Sequence, residues 1–236
     1  MKTLEQFLAR YVLPVITPLF LLMTAVRLLL TPVYPVLEYR TPSFPPDSYG
    51  FTFEERMEWS QYAVSYLVNE EDISYLGDLA FPDGSQLFND RELGHMVDVK
   101  NVVQGMLSVW YLLGIILIGS GVFAWQAGWL PVYWRSLSLG GKLTIGLIIM
   151  LLIGVAIGFR ALFTVFHLLF FKGDSWIFLF SDTLIRLFPM RFWSDSFIYV
   201  GLITIIGAFG LIVINRTQIG VRNETEDEEE ENQHID

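Results

Sequence analysis

The 236-residue chain contains no cysteine and only 3 histidines. The lack of cysteine excludes a thiol nucleophile, a disulfide framework and a lipobox cysteine of the chain's own. Charged residues are also scarce, at 17% of the chain, whereas hydrophobic residues make up 53%. In a chain so poor in ionisable groups, the places where such groups gather are informative.

Long apolar runs account for most of the hydrophobic residues. Four runs approach about 20 residues, the length that carries a helix across the hydrocarbon layer of a bilayer. They predict membrane spans at 11–31, 102–125, 143–171 and 197–215. We therefore expect an all-α fold, an integral membrane four-helix bundle with extracellular amphipathic helices between the first and second spans.

The net charge of −10 is concentrated at the C-terminus. Of the 25 acidic residues, 8 lie in 224–236, and the remaining 17 nearly balance the 15 basic residues, leaving about −2. The tail has almost no apolar side chains, so we predict that it is disordered. The chain is thus divided into a membrane domain at 1–222 and an acidic cytosolic tail at 223–236. Nothing in it suggests a nucleic-acid partner.

The orientation of the spans is predicted from basic residues near the span ends, of which those in the 126–142 connection have no acidic neighbour. These residues are Lys2, Arg10, Arg135, Lys142, Arg216 and Arg222. They place both termini and the 126–142 connection in the cytosol, and the loops at 32–101 and 172–196 outside.

The first outer loop carries signals for two helices. Thr52-x-x-Glu55 is a capping-box pattern that predicts a helix over about 53–69. Asn89 or Asp90 can cap a second helix that continues into the second span. In the other outer loop, Ser194 or Asp195 is expected to cap the fourth span. The many aromatic side chains of that loop suit either an interfacial belt or a lid over a lipid-accessible site.

Two of the histidines are candidates for acid–base chemistry. His95 lies in "RELGHMVDVK", just before the second span, and His167 lies near the end of the third. Because these two spans run in opposite directions, both imidazoles should reach the same membrane face. Asp98 or Glu92 could hold His95 in one tautomer. A solvated surface histidine and a buried structural histidine remain the alternatives.

Arg160 shares a helix face with His167 and lies inside an apolar run. A cation there either serves a site or extends to the lipid headgroups. A metal site is a further alternative, although no short ligand spacing supports it. Its candidate ligands are His95, His167, Asp98 and Asp174.

The layout resembles that of the bacterial lipoprotein intramolecular transacylase family. The resemblance covers the chain from "YGFTFEER" to the fourth span. Its specific part is "HMVDVK" before one span, followed by "FHLLFFKGDSWIF" with its "GDSW" at the end of the next. The acidic tail departs from the family pattern but does not touch the proposed site.

The resemblance implies an acyltransferase of the bacterial plasma membrane that needs no cofactor and no metal. Its substrate would be a diacylated lipoprotein among membrane phospholipids. The sn-2 acyl chain would move from the diacylglyceryl group to the α-amine of the cysteine, leaving an N-acyl lyso-lipoprotein. On this hypothesis His95, held by Asp98, is the base and His167 the acid, or the reverse. The candidates for binding the oxyanion, substrate or headgroup are Arg160, Arg91, Asp174 and Trp176. A non-catalytic scaffold or lipid-binding protein and a metal-dependent membrane hydrolase remain alternatives.

Overall fold

The chain is helical along almost all of its length. The computed structural model describes the backbone of residues 2–233 and the side chains of residues 4–218. In chain order the helices are α1 (Lys2–Phe7), a π-helical turn (Leu8–Val12), α2 (Leu13–Leu29), α3 (Val33–Glu38), α4 (Phe53–Val68), α5 (Ser74–Gly77), α6 (Asp90–Gln126), α7 (Leu130–Phe170), α8 (Thr183–Leu187) and α9 (Met190–Gln233). Within this described part, the one strand-like pairing is an isolated bridge between Ala80 and Gln86.

Four helical stretches are long and apolar enough to cross a membrane. They are Leu4–Leu29, Asp90–Gln126, Leu130–Phe170 and Met190–Gln218. The predicted all-α class and the four spans are confirmed. At about 1.5 Å per residue, the 37 residues of α6 extend about 55 Å, well beyond a hydrocarbon layer of about 30 Å. That excess length lets one continuous helix carry both a span and the charged segment before it.

Two predicted boundaries of the spans were wrong. The 126–142 segment is not a loop, because α7 already begins at Leu130. Trp129, Tyr133 and Leu137 are buried at helical spacing, so this segment has an apolar face that packs instead of lying in solvent. Helix α9 begins at Met190, directly after Pro189, so neither Ser194 nor Asp195 caps it.

The two predicted helix starts in the first outer loop are confirmed. The Thr52 side chain accepts a hydrogen bond from Glu55 N, and the Glu55 carboxylate accepts one from Thr52 N. At the start of α6, the Asn89 side chain accepts from Glu92 N while the Glu92 carboxylate accepts from Asn89 N. Both pairs satisfy N–H groups that a helix start leaves without partners. Which side of the membrane these helices occupy remains a prediction.

The chain forms two compact units. Unit 1 comprises Met1–Thr24, Trp110–Leu151 and Gly201–Asp236, and unit 2 comprises Ala25–Val109 and Leu152–Val200. Unit 2 contains an aromatic-rich core in which Tyr66, Phe88 and Leu187 are almost completely buried. Both histidines of interest belong to unit 2.

Unit 1 is held together by close helix packing. The Trp110 indole N–H donates to Thr24 Oγ1 at 2.9 Å, and the Tyr133 hydroxyl donates to Leu117 O at 3.0 Å. Glycine at 141 allows α7 to approach Ala208 of α9 closely. The helical backbone of α9 continues past residue 215 into the predicted acidic tail. The tail's side chains and residues 234–236 lie outside the described part, so its disorder remains a prediction.

Candidate active site

The two histidines come together in one place. His95 lies on the second turn of α6, and His167 on the last turn of α7. Their ring centroids are 6.2 Å apart and the rings are nearly parallel, at 19°. Each histidine is only 8% exposed. The antiparallel direction of α6 and α7 brings residues from the start of one helix to the end of the other, as the sequence predicted.

Aromatic side chains enclose the imidazoles. Phe163 and Phe171, one turn before and after His167, have ring centroids 4.1 and 5.5 Å from its ring. The segment after α7 folds back over the pair. There the Trp176 ring lies 4.8 Å from His167, and the Phe178 ring lies 5.3 Å from His95. The result is a confined site with low polarity, in which hydrogen bonds and charges act more strongly than in water.

The hydrogen bonding of the two imidazoles differs. His167 Nδ1 lies 2.8 Å from the carbonyl oxygen of Phe163, four residues earlier on α7. A carbonyl oxygen only accepts, so Nδ1 carries the proton, and Nε2 of the neutral ring has a free lone pair. His95 Nδ1 is buried and has no hydrogen-bond partner in the described part of the structure. The site therefore accommodates a neutral His95 best with its proton on Nε2, because an unpaired buried acceptor is easier to tolerate than an unpaired N–H.

Neither predicted carboxylate hydrogen-bonds to His95. Glu92 is completely buried, but its oxygens accept from Asn89 N at 2.8 Å and from Leu184 N at 2.6 Å. It ties the start of α6 to the start of α8, and each of its oxygens is engaged by one of these backbone N–H groups. Asp98 is exposed and does not reach the buried Nδ1 of His95. Any influence of Asp98 on His95 is electrostatic.

The remaining predicted site residues fall into two groups. The Arg91 guanidinium binds Asp174 through its carboxylate at 2.9 Å and its carbonyl at 3.1 Å, so these two residues fasten the segment that carries Trp176. Arg160 is exposed and forms no hydrogen bond or ion pair with another side chain among residues 4–218. The structure therefore brings Arg91, Asp174 and Trp176 to the histidine site, but places no contact between Arg160 and either ring.

The geometry gives no support to a metal centre. Among the described side chains, no three histidine, aspartate or glutamate residues come close enough together to hold an ion. Asp98 is exposed, and Asp174 is engaged by Arg91. The four ligands considered from the sequence therefore do not form a set.

Sequence reasoning missed several residues of this site. Phe163 and Phe171 could have been found, because they lie one helical turn on either side of His167. The contact of Phe178 with His95 and the hydrogen bond from Leu184 N to Glu92 could not have been found from the sequence. These contacts join residues far apart in the chain, and no local spacing encodes them.

Comparisons with known proteins agree with this architecture. An uncharacterised protein of Aquifex aeolicus (strain VF5) is 29% identical over 203 residues, which are 86% of this chain and 90% of that protein. The structure of the membrane integral lipoprotein intramolecular transacylase Lit from Bacillus cereus is similar with a TM-score of 0.81 and 22% identity, covering 95% of this chain and 100% of that one. A variant of the Bacillus cereus protein in which a histidine is replaced by alanine gives a TM-score of 0.71 at 19% identity, over 94% and 97% of the two chains. These structural similarities establish the fold.

The family model described as lipoprotein intramolecular transacylase Lit matches residues 11–193. The match includes α6, most of the preceding helices, the whole of α7 and the segment that closes over the histidines. Because it spans most of the chain, the chain belongs to the lipoprotein intramolecular transacylase Lit family, whose members are acyltransferases that act on lipoproteins.

Proposed function

We propose that His95 and His167 form the catalytic pair of this transacylase, in which His167 takes and returns the proton and His95 donates a hydrogen bond to the developing oxyanion. The observation that supports this assignment is the hydrogen bond from His167 Nδ1 to the Phe163 carbonyl at 2.8 Å. It leaves Nε2 as the proton acceptor and stabilises the imidazolium once the proton has arrived. The assignment reverses the order favoured by the sequence, in which Asp98 made His95 the base.

The reaction needs only groups that the substrate and the two imidazoles supply. The α-amine of the lipidated cysteine attacks the carbonyl carbon of the sn-2 ester, and His167 Nε2 takes the amine proton. The C–O bond then breaks, the amide forms, and the glyceryl oxygen takes a proton from the His167 imidazolium, while His95 keeps its own proton and donates a hydrogen bond from Nε2–H. One proton leaves the amine and one reaches the oxygen, so both imidazoles end neutral, as they began. Nucleophile and acyl donor belong to one molecule, so proximity supplies a large part of the acceleration.

The surroundings suit this chemistry. Before the ester bond breaks, His95 Nε2–H can donate to the oxygen on which negative charge develops, and few competing dipoles surround it. The aromatic walls exclude water, which would otherwise hydrolyse the ester. Arg91 and Asp174 fasten the wall that carries Trp176. The exposed Arg160 is assigned to the binding of lipid headgroups, since it touches neither imidazole.

The proposed location is the bacterial plasma membrane, with the histidine site at its outer face. The substrate is a diacylated lipoprotein that reaches the site from the surrounding phospholipid. The assignment of the chain as a multi-pass membrane protein rests on its four membrane-length helices. The sidedness rests on the distribution of lysine and arginine at the span ends.

Substitution of the histidines tests the mechanism. His95→Ala and His167→Ala should each lose about 10²–10⁴-fold in rate, as is usual for loss of an oxyanion donor or of a general base. The double variant should lose little more, because the two rings act as one unit. The measurement is mass spectrometry of a lipoprotein N-terminus, following the acyl chain from ester to amide. Ser85→Ala, in an exposed turn, is the control.

A pair of amide variants tests the assignment of His95. The amide nitrogen of His95→Gln lies near the place of Nε2, whereas that of His95→Asn lies nearer Nδ1. We expect His95→Gln to retain more activity, because it can still donate to the oxyanion. Equal rates for the two variants would contradict donation from Nε2, and unchanged product formation by His167→Ala would contradict the pair altogether.

A further inference from the structure

The segment that closes over the histidines has two different faces. We define the strap as residues 172–182, between α7 and α8. Its inward side chains, Trp176 and Phe178, contact the imidazoles. Its other apolar side chains point away from the protein: Ile177 is 52% exposed, Leu179 is 70% exposed and Phe180 is 80% exposed. Alternate residues of the extended part of the strap thus serve opposite faces.

The ends of the strap are fastened to the start of α6. Arg91 binds Asp174, and the Asn89 amide donates to the Asp182 carboxylate at 3.4 Å. Asp182 also accepts from Leu179 N at 2.8 Å, which shapes the turn that presents Phe180. The strap is therefore an organised element, and its apolar side chains are held outward by these contacts.

The strap follows the end of a membrane-length helix whose exposed side chains are also apolar. The last turns of the membrane-length helix α7 expose Leu168, Leu169 and Phe170. The strap follows after Phe171 and extends this apolar surface. In water, a contiguous exposed patch of large aliphatic and aromatic side chains is unfavourable and marks an interaction site. The cationic Lys172 at the start of the strap is exposed and suits the phosphate level of a bilayer.

We propose that Ile177, Leu179 and Phe180 insert into the boundary between headgroups and acyl chains of the lipid leaflet, so that the strap is a membrane-held cover of the histidine site. The lipid contacts the outward side chains of the strap, while Trp176 and Phe178 on its inner side pack against the imidazoles. A lipid-anchored substrate then enters between strap and leaflet with its acyl chains still in the bilayer. The insertion stands apart from the catalytic roles proposed above, and only its effect on the rate rests on them.

The absence of cysteine from the chain allows a direct depth measurement. Single-cysteine variants Phe180→Cys and Leu179→Cys are labelled with a nitrobenzoxadiazole fluorophore and reconstituted in vesicles of phosphatidylethanolamine and phosphatidylglycerol. A phospholipid with a nitroxide at carbon 5 of an acyl chain is the quencher. Both probes should emit at shorter wavelength than the free fluorophore does in water and lose most of their intensity to the quencher. A probe at Ser85→Cys, in an exposed polar turn, should do neither.

Activity in the same vesicles provides a second measurement. The double variant Leu179→Ser with Phe180→Ser should convert the lipoprotein roughly tenfold more slowly, the factor expected for losing the burial of about one such side chain. Phe180→Leu, which remains apolar, should keep the rate. A probe at position 180 that is quenched no more than the Ser85 probe overturns the proposal, as does full activity of the double serine variant. Quenching does not require catalysis, so it should persist in the inactive His95→Ala protein. A failure of the histidine mechanism would therefore leave the quenching result intact.

Discussion

Among single residues, Glu38 at the end of α3 is unusual because its carboxyl group is buried without a hydrogen-bond donor. The residue is 1% exposed, and neither oxygen accepts a hydrogen bond from a described donor. Burial, and then the Asp195 carboxyl within hydrogen-bonding reach, raise the pKa of Glu38 from an ordinary 4.5 to about 7, against the opposing effect of Arg191. With its raised pKa, Glu38 keeps its proton and can donate it to the Asp195 carboxyl. The other ionisable groups facing Glu38 are Tyr34, Tyr39 and Tyr199.

This carboxyl pair predicts that stability depends on pH. Glu38 is protonated in the folded protein up to about pH 7, whereas in the unfolded chain it ionises near pH 4.5. Unfolding between these values releases a proton, so the stabilisation is complete below pH 4.5 and is lost as the pH rises to about 7. Glu38→Gln keeps a donor for Asp195 and carries no charge.

Thermal unfolding in detergent at pH 5 to 8 measures this effect. The wild type should lose stability across the range, by about 2 kcal/mol at its upper end. Glu38→Gln should show a flatter profile and unfold at a higher temperature than the wild type at pH 8. Parallel profiles for the two proteins would show that Glu38 does not hold a proton in the folded state.

At the scale of secondary-structure elements, a glycine of α7 determines how closely two helices of unit 1 approach each other. A Cβ atom at Gly141 of α7 would lie 2.8 Å from the backbone oxygen of Ala208 on α9. A backbone atom cannot move aside as a flexible side chain can. At Gly146, also on α7, an added Cβ would have no neighbouring atom within 4 Å, so its substitution meets open space.

We therefore predict opposite effects of alanine at these two positions. Gly141→Ala should destabilise the protein by about 1–3 kcal/mol, because the two helices must separate. Gly146→Ala should be neutral or stabilising by up to about 1 kcal/mol, because alanine is the better helix former. Thermal unfolding of the two purified variants distinguishes them. Equal stability of the two would mean that α7 and α9 are not in close contact at Gly141.

At the scale of the whole molecule, the orientation in the membrane is the property to test. The chain contains no cysteine, so a single introduced cysteine supplies the only thiol that a maleimide can label. Ser138, in the predicted 126–142 connection, is buried within α7 and is unsuitable for labelling. Gln126, at the end of α6, is exposed and marks the same side of the spans.

Cysteines at Ser48 and Ser85 should react with a membrane-impermeant maleimide in intact cells, because both positions are exposed and belong to the predicted outer loop at 32–101. A cysteine at Gln126 should react only after the membrane is opened. Mass-tagging on a gel measures the extent of labelling. Labelling at Gln126 in intact cells, with Ser48 protected, would reverse the proposed orientation and move the histidine site to the cytosolic face.

The sequence by itself determined the features that depend on residues close together in the chain. Apolar runs of membrane length predicted the four spans, because a helix satisfies its own backbone hydrogen bonds in lipid. The Thr52–Glu55 pattern predicted the start of α4, because a capping box depends only on two residues that are three positions apart. The sequence also predicted that His95 and His167 would meet, since adjacent spans run in opposite directions and the two residues lie at the ends remote from the connection between those spans.

Only the tertiary structure decided which groups complete the site. Glu92 was a candidate partner of His95 by spacing, but its carboxylate is taken by Leu184 N, which is 92 positions away. The tautomer of His167 follows from its contact with the Phe163 carbonyl, and the cover over His95 from the folding back of the strap. A buried hydrogen-bonding group takes the partner that packing brings within reach. That choice depends on long-range contacts, which no short stretch of this chain specifies.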